Sequence, residues 1–211
     1  SPSARRGSMR PADWVRSPRA VDVNGTRWLL EFARKLKVSH FIYVSIVGLE
    51  HARLLPYARV KLEAEGLVRR SSTPYSILRA TTFYWLLERM LDKMVKPRRA
   101  FVPRGVVLQP ADSDDFARWV VQCMREGPKG KYVGFAGPEQ LSAHDCVEQF
   151  AAARGHQPAI RDVPVPRPLR KAMTAFLTDP FAQRGATRWS DWLANLYAPA
   201  TGPTLRATPA S

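Results

Sequence analysis

Residues 45 to 61 read SIVGLEHARLLPYARVK. Ser45 is followed twelve positions on by Tyr57, and Tyr57 four positions on by Lys61. Either the three form a reactive set, or a strand end happens to precede an ordinary helix; the residues on both sides decide. Upstream, SHFIYVSIVG (39–48) is a short β-branched and aromatic run, the composition of a strand buried in a parallel sheet. Downstream, PYARVKLEAEGLVRRS (56–71) predicts a helix with Pro56 in its first turn, where a missing N–H costs nothing.

On such a helix Tyr57 and Lys61 stand one turn apart on one face. A phenol with an ordinary pKa near ~10 is a poor acid or base at neutral pH, and an adjacent ammonium favours the phenolate and draws that value down. Ser45 stands where its strand ends, and in open parallel sheets ligands bind outside the carboxyl ends of strands. Y-x-x-x-K alone is a common pattern, so its setting carries the weight.

The surrounding pattern is α/β. VDVNGTRWLLEFARKLKV (21–38) has helical apolar spacing and a basic end, suited to the negative end of a helix dipole. PYSILRATTFYWLL (74–87) reads as a second buried strand running into an apolar helix that ends near Met94. Helix, strand, helix, strand is the order of βαβ crossovers in a doubly wound, mostly parallel sheet. Short extended pieces are expected around Phe101 and Val106, then a helix whose first turn is acidic (Asp112, Asp114, Asp115), then the strand KYVGFAG (131–137). Ser142 and Asp145 form a capping-box pattern and Gly155 closes that helix. AIRDVPVP is extended, and TRWSDWLANLYA (187–198) is a last amphipathic helix. Four stretches result: a loop or flexible leader (1–20), a doubly wound α/β domain (21–138), a small α/β region (139–198) and a tail (199–211).

Length and composition agree. A chain of 211 residues with 45% hydrophobic content can bury one substantial core. The longest apolar run falls far short of the ~20 residues that cross a bilayer, which reads as a soluble, cytoplasmic protein without membrane attachment. Cys123 and Cys146 lack metal-ligand spacing and read as reduced packing residues. The acidic residues 112–115 read as helix-start capping rather than a metal site, so no metal is expected. Net charge is +15, yet the 33 basic residues, mostly Arg, are scattered singly or in pairs over nearly every segment. That distribution argues against specific nucleic-acid binding and leaves room for a basic pocket with an acidic ligand.

The stretches VDVNGTRWLLEFARKLKVSHFIYVSIVG, PYARVKLEAEGLV, PYSILRATTFY, QPADSDDFARWV, GPEQLSAHDCVEQFAAARG and RGATRWSDWLANL follow one another from about residue 20 to 198. In that order they resemble the atypical short-chain dehydrogenase/reductases, in particular the NmrA-like, NAD(P)-binding branch. The resemblance implies the C-terminal portion of a Rossmann-like doubly wound sheet with a small α/β substrate-side region. It further implies that Tyr57 exchanges a proton with a carbonyl or alcohol, that Lys61 tunes Tyr57 and holds the nicotinamide ribose, and that Ser45 orients the substrate. Arg79, Ala80, Thr81, Thr82 and Phe83 would line the cofactor pocket, with His51 and Tyr84 beside a small-molecule substrate. NADP(H) or NAD(H) would be the cofactor. Asp22 stands where extended relatives carry Asn in N-V-x-G-T, which touches any proton relay through that position.

One expected part is missing. Dinucleotide binding in this fold uses a glycine-rich strand-to-helix turn whose N–H groups meet the pyrophosphate. Neither G-x-x-G-x-x-G nor G-x-G-x-x-G occurs in the 211 residues. The expectation is a chain truncated at its N-terminus by roughly 60 to 80 residues, two overlapping βαβ units, with weak or absent dinucleotide affinity and impaired turnover. The other readings are an NmrA-like dinucleotide-sensing regulator without turnover, or a noncatalytic remnant. Oligomeric state is not legible.

Overall fold

The computed structural model describes residues 18 to 198. The leader expected over 1–20 falls outside them except for residues 18 to 20, which are already helical, and the tail expected over 199–211 falls outside them entirely. A π-helical stretch, Ala20–Gly25, leads into α1 (Thr26–Lys35). Strand β1 (Phe41–Ile46) follows, then a 3₁₀ turn (Leu49–Ala52) and α2 (Pro56–Arg69). Next come β2 (Tyr75–Ala80), α3 (Tyr84–Met94), β3 (Arg99–Pro103), β4 (Val107–Leu108) and α4 (Ser113–Glu126). The chain continues through β5 (Tyr132–Ala136), β6 (Leu141–Ser142), α5 (Ala143–Ala153), β7 (Ala159–Val163), α6 (Arg167–Leu177), β8 (Gln183–Arg184) and α7 (Trp189–Leu196).

The main sheet is parallel throughout, in the order β1-β2-β5-β8. Alternation along β2 sends Ile77 to one face and Leu78 and Ala80 to the other. Ile77 packs with Tyr43, with Ala64 and Val68 of α2, and with Val23 and Leu30. Leu78 and Ala80 pack with Phe135 and with Phe116 and Cys123 of α4. Helices therefore cover both faces, which makes the sheet doubly wound.

A second core gathers Tyr84, Leu87 and Leu91 of α3, Ala100 and Val102 of β3, Val147 and Phe150 of α5, and Trp189 and Leu193 of α7. Two small sheets, parallel β3–β7 and antiparallel β4–β6, complete this layer. The two layers interleave along the chain: α3 and β3 lie in the second core, and β8 returns to pair with β5. The capping box at Ser142 forms as the sequence suggests, Ser142 Oγ accepting from Asp145 N at 3.0 Å and Asp145 Oδ2 from Ser142 N at 3.2 Å. At the other acidic helix start the carboxylates divide their work. Asp112 is the N-cap of α4, while Asp115 Oδ2 accepts from the backbone N–H of Ala186 and Thr187, both at 2.8 Å, and so ties the turn after β8 to α4. Among the described residues no helix is long and apolar enough to cross a membrane.

Candidate functional site at the carboxyl ends of β1 and β2

Helix α2 turns a stripe of Ala58, Lys61, Ala64, Glu65 and Val68 toward the sheet. Two charges in an otherwise apolar stripe require partners, because an unpaired buried charge is costly. Lys61, 6% exposed, donates to Asp22 Oδ1 at 3.0 Å and to the carbonyl of Val44 at 3.1 Å. Its ammonium also lies 4.6 Å from the ring centre of Tyr43, whose hydroxyl donates to the same Asp22 oxygen at 3.4 Å. Asp22 stands in the π-helical stretch; such widened turns occur often at functional sites.

Tyr57 is half exposed at the start of α2. Burial first, then the Asp22 carboxylate, holds its phenol above the ordinary tyrosine value. That is opposite to the direction expected from Lys61 standing one turn away. The reason is tertiary: Lys61 sits on Asp22, and the net field reaching the phenol includes that carboxylate. Tyr43 is held higher still, by burial and then by Asp22.

Ser45 lies on the α2 face of β1 and is 3% exposed, and its Oγ finds no hydrogen-bond partner among the described residues. Thr81, just past the end of β2, is in the same condition: buried, its Oγ1 unpartnered. The register pairs Ser45 with Arg79 and Ile46 with Ala80, so Ser45 and Thr81 have the same side-chain parity at the carboxyl ends of adjacent strands. Two orphaned buried hydroxyls in one place are unusual, since buried polar groups are nearly always paired.

The other expected cofactor residues are placed differently. Arg79 is 2% exposed and engaged: Glu65 accepts two bonds, at 2.8 and 2.7 Å, and Glu50 two more, at 3.1 and 2.8 Å. Its guanidinium also lies 4.0 Å from the ring centre of Tyr132. Arg79 thus locks β2 to α2 and to the 3₁₀ turn with four of its five N–H groups, and its side chain also lines the cleft that His51 faces. Ala80 belongs to the α4-side core, and Phe83 meets the ring of Phe116 edge-on at 5.3 Å. Thr82 lines an apolar cavity of about 180 Å³ bounded by α3, β3, α5 and α6. Tyr84, proposed from the sequence as a substrate contact, is 1% exposed in the second core, packed against the stacked rings of Trp189 and Trp192, and its hydroxyl donates to the carbonyl of Thr187 at 2.8 Å. An aromatic next to a strand end reads alike whether it faces a ligand or a core.

His51 is exposed on the 3₁₀ turn and faces a polar cleft. That turn is clamped. Gly48 has φ +64°, and a Cβ there would meet the carbonyl oxygen of Ala175 at 2.3 Å, so only glycine lets the turn seat against α6. Cys123 and Cys146 are both buried and free, and burial pushes the Cys146 thiol up to about 12, as suits packing residues. His144, Asp145 and Glu148 lie close together at the start of α5, where Asp145 is already engaged in the capping box. Glu65 and Tyr43 went unread in the sequence. For Glu65 the signal was present: a carboxylate one turn beyond Lys61 on a buried stripe, with an arginine on the next strand.

No family model matches the sequence. The chain is 30% identical over 162 residues to a divinyl chlorophyllide a 8-vinyl-reductase, chloroplastic, of Oryza sativa subsp. indica, covering 72% of this chain and 40% of that protein. It is 31% identical over 148 residues to the photosystem II assembly factor Ycf39 of Cyanophora paradoxa, covering 69% and 46%. The chain thus spans less than half the length of these curated relatives. Among solved structures it is similar to a UDP-glucuronic acid 4-epimerase from Bacillus cereus in complex with NAD (TM-score 0.61, 22% identity, 83% of this chain and 64% of that one). It is also similar to a nucleoside-diphosphate-sugar epimerase from Staphylococcus aureus (0.65, 16%, 84% and 72%) and to an NADPH-dependent quinone oxidoreductase from Escherichia coli (0.64, 16%, 82% and 73%). At these identities the likeness is one of fold, and the fold of this chain is the Rossmann-like α/β arrangement that these epimerases and reductases share.

Proposed function

We propose that the chain carries the proton-transfer side of an NAD(P)H-dependent oxidoreductase of short-chain dehydrogenase/reductase type, NmrA-like, acting on a small carbonyl or alcohol. The observation that carries this reading is the pair of unpartnered buried hydroxyls, Ser45 and Thr81, at the carboxyl ends of β1 and β2, on the sheet face that α2 covers with Lys61. The names of the relatives and of the fold neighbours support it. The residues present suit the nicotinamide end of a dinucleotide, because Ser45 and Thr81 each have hydrogen-bonding capacity to give. They do not include a glycine-rich turn for the pyrophosphate, so we expect weak dinucleotide binding and impaired turnover from these residues alone.

When bound, the nicotinamide supplies or accepts the hydride. Tyr57 holds the proton to be exchanged at its hydroxyl, the state required of a donor to a reduced carbonyl, as a phenol does at neutral pH without any shift. Lys61 stabilises the phenolate left behind, and Asp22 fixes the ammonium. Ser45 accepts or donates to the substrate oxygen and so orients it.

A second reading, a dinucleotide-sensing protein without turnover, is favoured by the elevation of the Tyr57 phenol, which leaves little phenolate for the reverse, base-catalysed direction. Replacing Tyr57 by Phe separates the two. With a panel of carbonyl substrates, NADPH oxidation by the chain joined to a glycine-rich βαβ segment should fall 100-fold or more, within the range for loss of a general acid; unchanged oxidation ends the assignment through Tyr57. Calorimetric titration of the chain alone that gives micromolar NADPH binding would contradict the expected weakness.

A further inference from the structure

The 3₁₀ turn after β1 and one face of α6 enclose a cleft of about 600 Å³. Helical spacing divides α6 between two environments. Met173 and Leu177 face the apolar cavity, whereas Arg167, Arg170, Lys171, Thr174 and Thr178, just past the helix end, line the cleft. Among the described residues none of Arg167, Arg170 and Lys171 is within 4.0 Å of a carboxylate.

Two carboxylates also line the cleft, and neither pairs with the cations of α6. Both oxygens of Glu50 accept from Arg79. Asp179 Oδ1 accepts from the N–H of Phe181 at 3.0 Å, and its Oδ2 lies where a Cβ on Gly134 would be, at 2.3 Å. The cleft therefore holds three cations of α6 without carboxylate partners against one carboxylate, Asp179, that no cation pairs, with His51 on the facing turn and the Thr174 side chain in the α6 wall. Two of the three are arginines, whose planar forks match carboxylate and phosphate oxygens two at a time. Low-dielectric walls on both sides focus that potential inward.

We propose that this cleft binds an acidic group, a carboxylate or a phosphate ester, carried by the substrate. The word substrate rests on the oxidoreductase reading above; the binding of an anion between α6 and the 3₁₀ turn does not. The turn that forms one wall joins the strand of Ser45 to the helix of Tyr57, so an acid seated here is held against the segment that connects those residues.

The test is calorimetric titration of the full chain with inorganic phosphate and with succinate, in low-chloride buffer. Substitution of the three cations together (R167A/R170A/K171A) should weaken binding tenfold or more. The equal-charge control R34A/K35A/K37A, on exposed residues at and beyond the end of α1, should change it by less than twofold. Equal losses in both triples would reduce the effect to overall charge and overturn the proposal. Should the first triple fail to fold, acylation of Lys171 in the unaltered chain decides: phosphate or succinate must slow it at least threefold relative to Lys35, and equal rates overturn the proposal.

Protection by phosphate alone identifies a phosphate ester, and protection by both a site for either acid. Displacement of phosphate by NADPH, but not by NADH, would assign the cleft to the cofactor and overturn it as a substrate site. Anion binding without any carbonyl reduction in the glycine-turn fusion leaves the cleft standing and removes the oxidoreductase reading. Turnover without anion binding does the reverse.

Discussion

Two buried cations on the α2 face of the sheet, Arg79 and Lys61, look alike in sequence and differ in their surroundings. Arg79 meets two carboxylates through four hydrogen bonds and an aromatic ring, so its charge is matched and four of its five donors are used. Lys61 meets one carboxylate, which it shares with Tyr43, and one backbone carbonyl, and the same stretch of sheet face holds the unpartnered hydroxyls of Ser45 and Thr81. A saturated network holds elements together; an unsaturated one has hydrogen-bonding capacity for a ligand. The difference teaches that exposure alone does not separate a structural charge from a functional one, since both residues are nearly inaccessible.

The largest effect should come from breaking the saturated side. Arg79→Leu leaves Glu65, fully buried, with only the half-exposed Arg69 at 3.5 Å, and should destabilise the chain by about 3–5 kcal/mol, read as a lowered urea midpoint. Arg79→Lys should recover only part, because an ammonium cannot hold both carboxylates through paired bonds. If Arg79→Leu unfolds no earlier than the parent, the network is not what joins β2 to α2.

Lys61→Met should cost less, about 1–3 kcal/mol, because Asp22 retains some contact with water and keeps the Tyr43 hydroxyl. In the oxidoreductase reading its effect on turnover exceeds its effect on stability. A stability loss equal to that of Arg79→Leu would place Lys61 with the structural network instead.

Glu50 tests the exposed rim of the Arg79 network. Burial pushes its carboxyl up, but the bonds from Arg79 outweigh this and hold it below the ordinary glutamate value. A carboxyl lowered on folding contributes stability that is present above its unfolded value, near ~4.3, and lost as pH falls through the lower folded value. Its side chain is 42% exposed, so solvent screening keeps the contribution under about 1 kcal/mol. Glu50→Gln should therefore flatten the acid limb of the stability profile slightly, and should matter less at high salt. An unchanged profile below pH 4 would show that Glu65 alone matches Arg79.

The smallest change is expected at Ser45. Removing an unpartnered buried hydroxyl breaks no hydrogen bond, so Ser45→Ala should shift stability by less than about 1 kcal/mol, in either direction. A loss above ~2 kcal/mol in thermal unfolding would mean that this hydroxyl is bonded in the free protein, and would weaken the case for a ligand there.

Most elements were legible. Alternation and apolar runs marked β1, β2 and β5, helical spacing marked α1, α2 and α3, and the Ser142 capping box was readable from two residues three apart. The placement of Ser45 at a strand end and of Tyr57 and Lys61 on one helix followed from the same local rules. What could not be read was which charges meet. Arg79 stands 14 residues from Glu65 and 29 from Glu50, Tyr84 lies 103 residues from the carbonyl it bonds, and Asp115 meets N–H groups 71 and 72 residues away. Read locally they are a cofactor-pocket residue, a substrate contact and part of an acidic helix start, and nothing local names the distant partners that hold them.

The sequence by itself determined the order of helices and strands, the parallel α/β class and the shared face of Tyr57 and Lys61. Those depend on backbone hydrogen bonds and side-chain periods that act over a few residues. The tertiary arrangement alone shows that Arg79 is matched by two carboxylates while Ser45 and Thr81 have no partner, that burial, reinforced by Asp22, moves the Tyr57 phenol upward, and that three cations of α6 face a cleft without carboxylate partners. Those outcomes depend on how crossovers bring distant segments together, and burial there turns an ordinary side chain into one that must be paired or left able to bind.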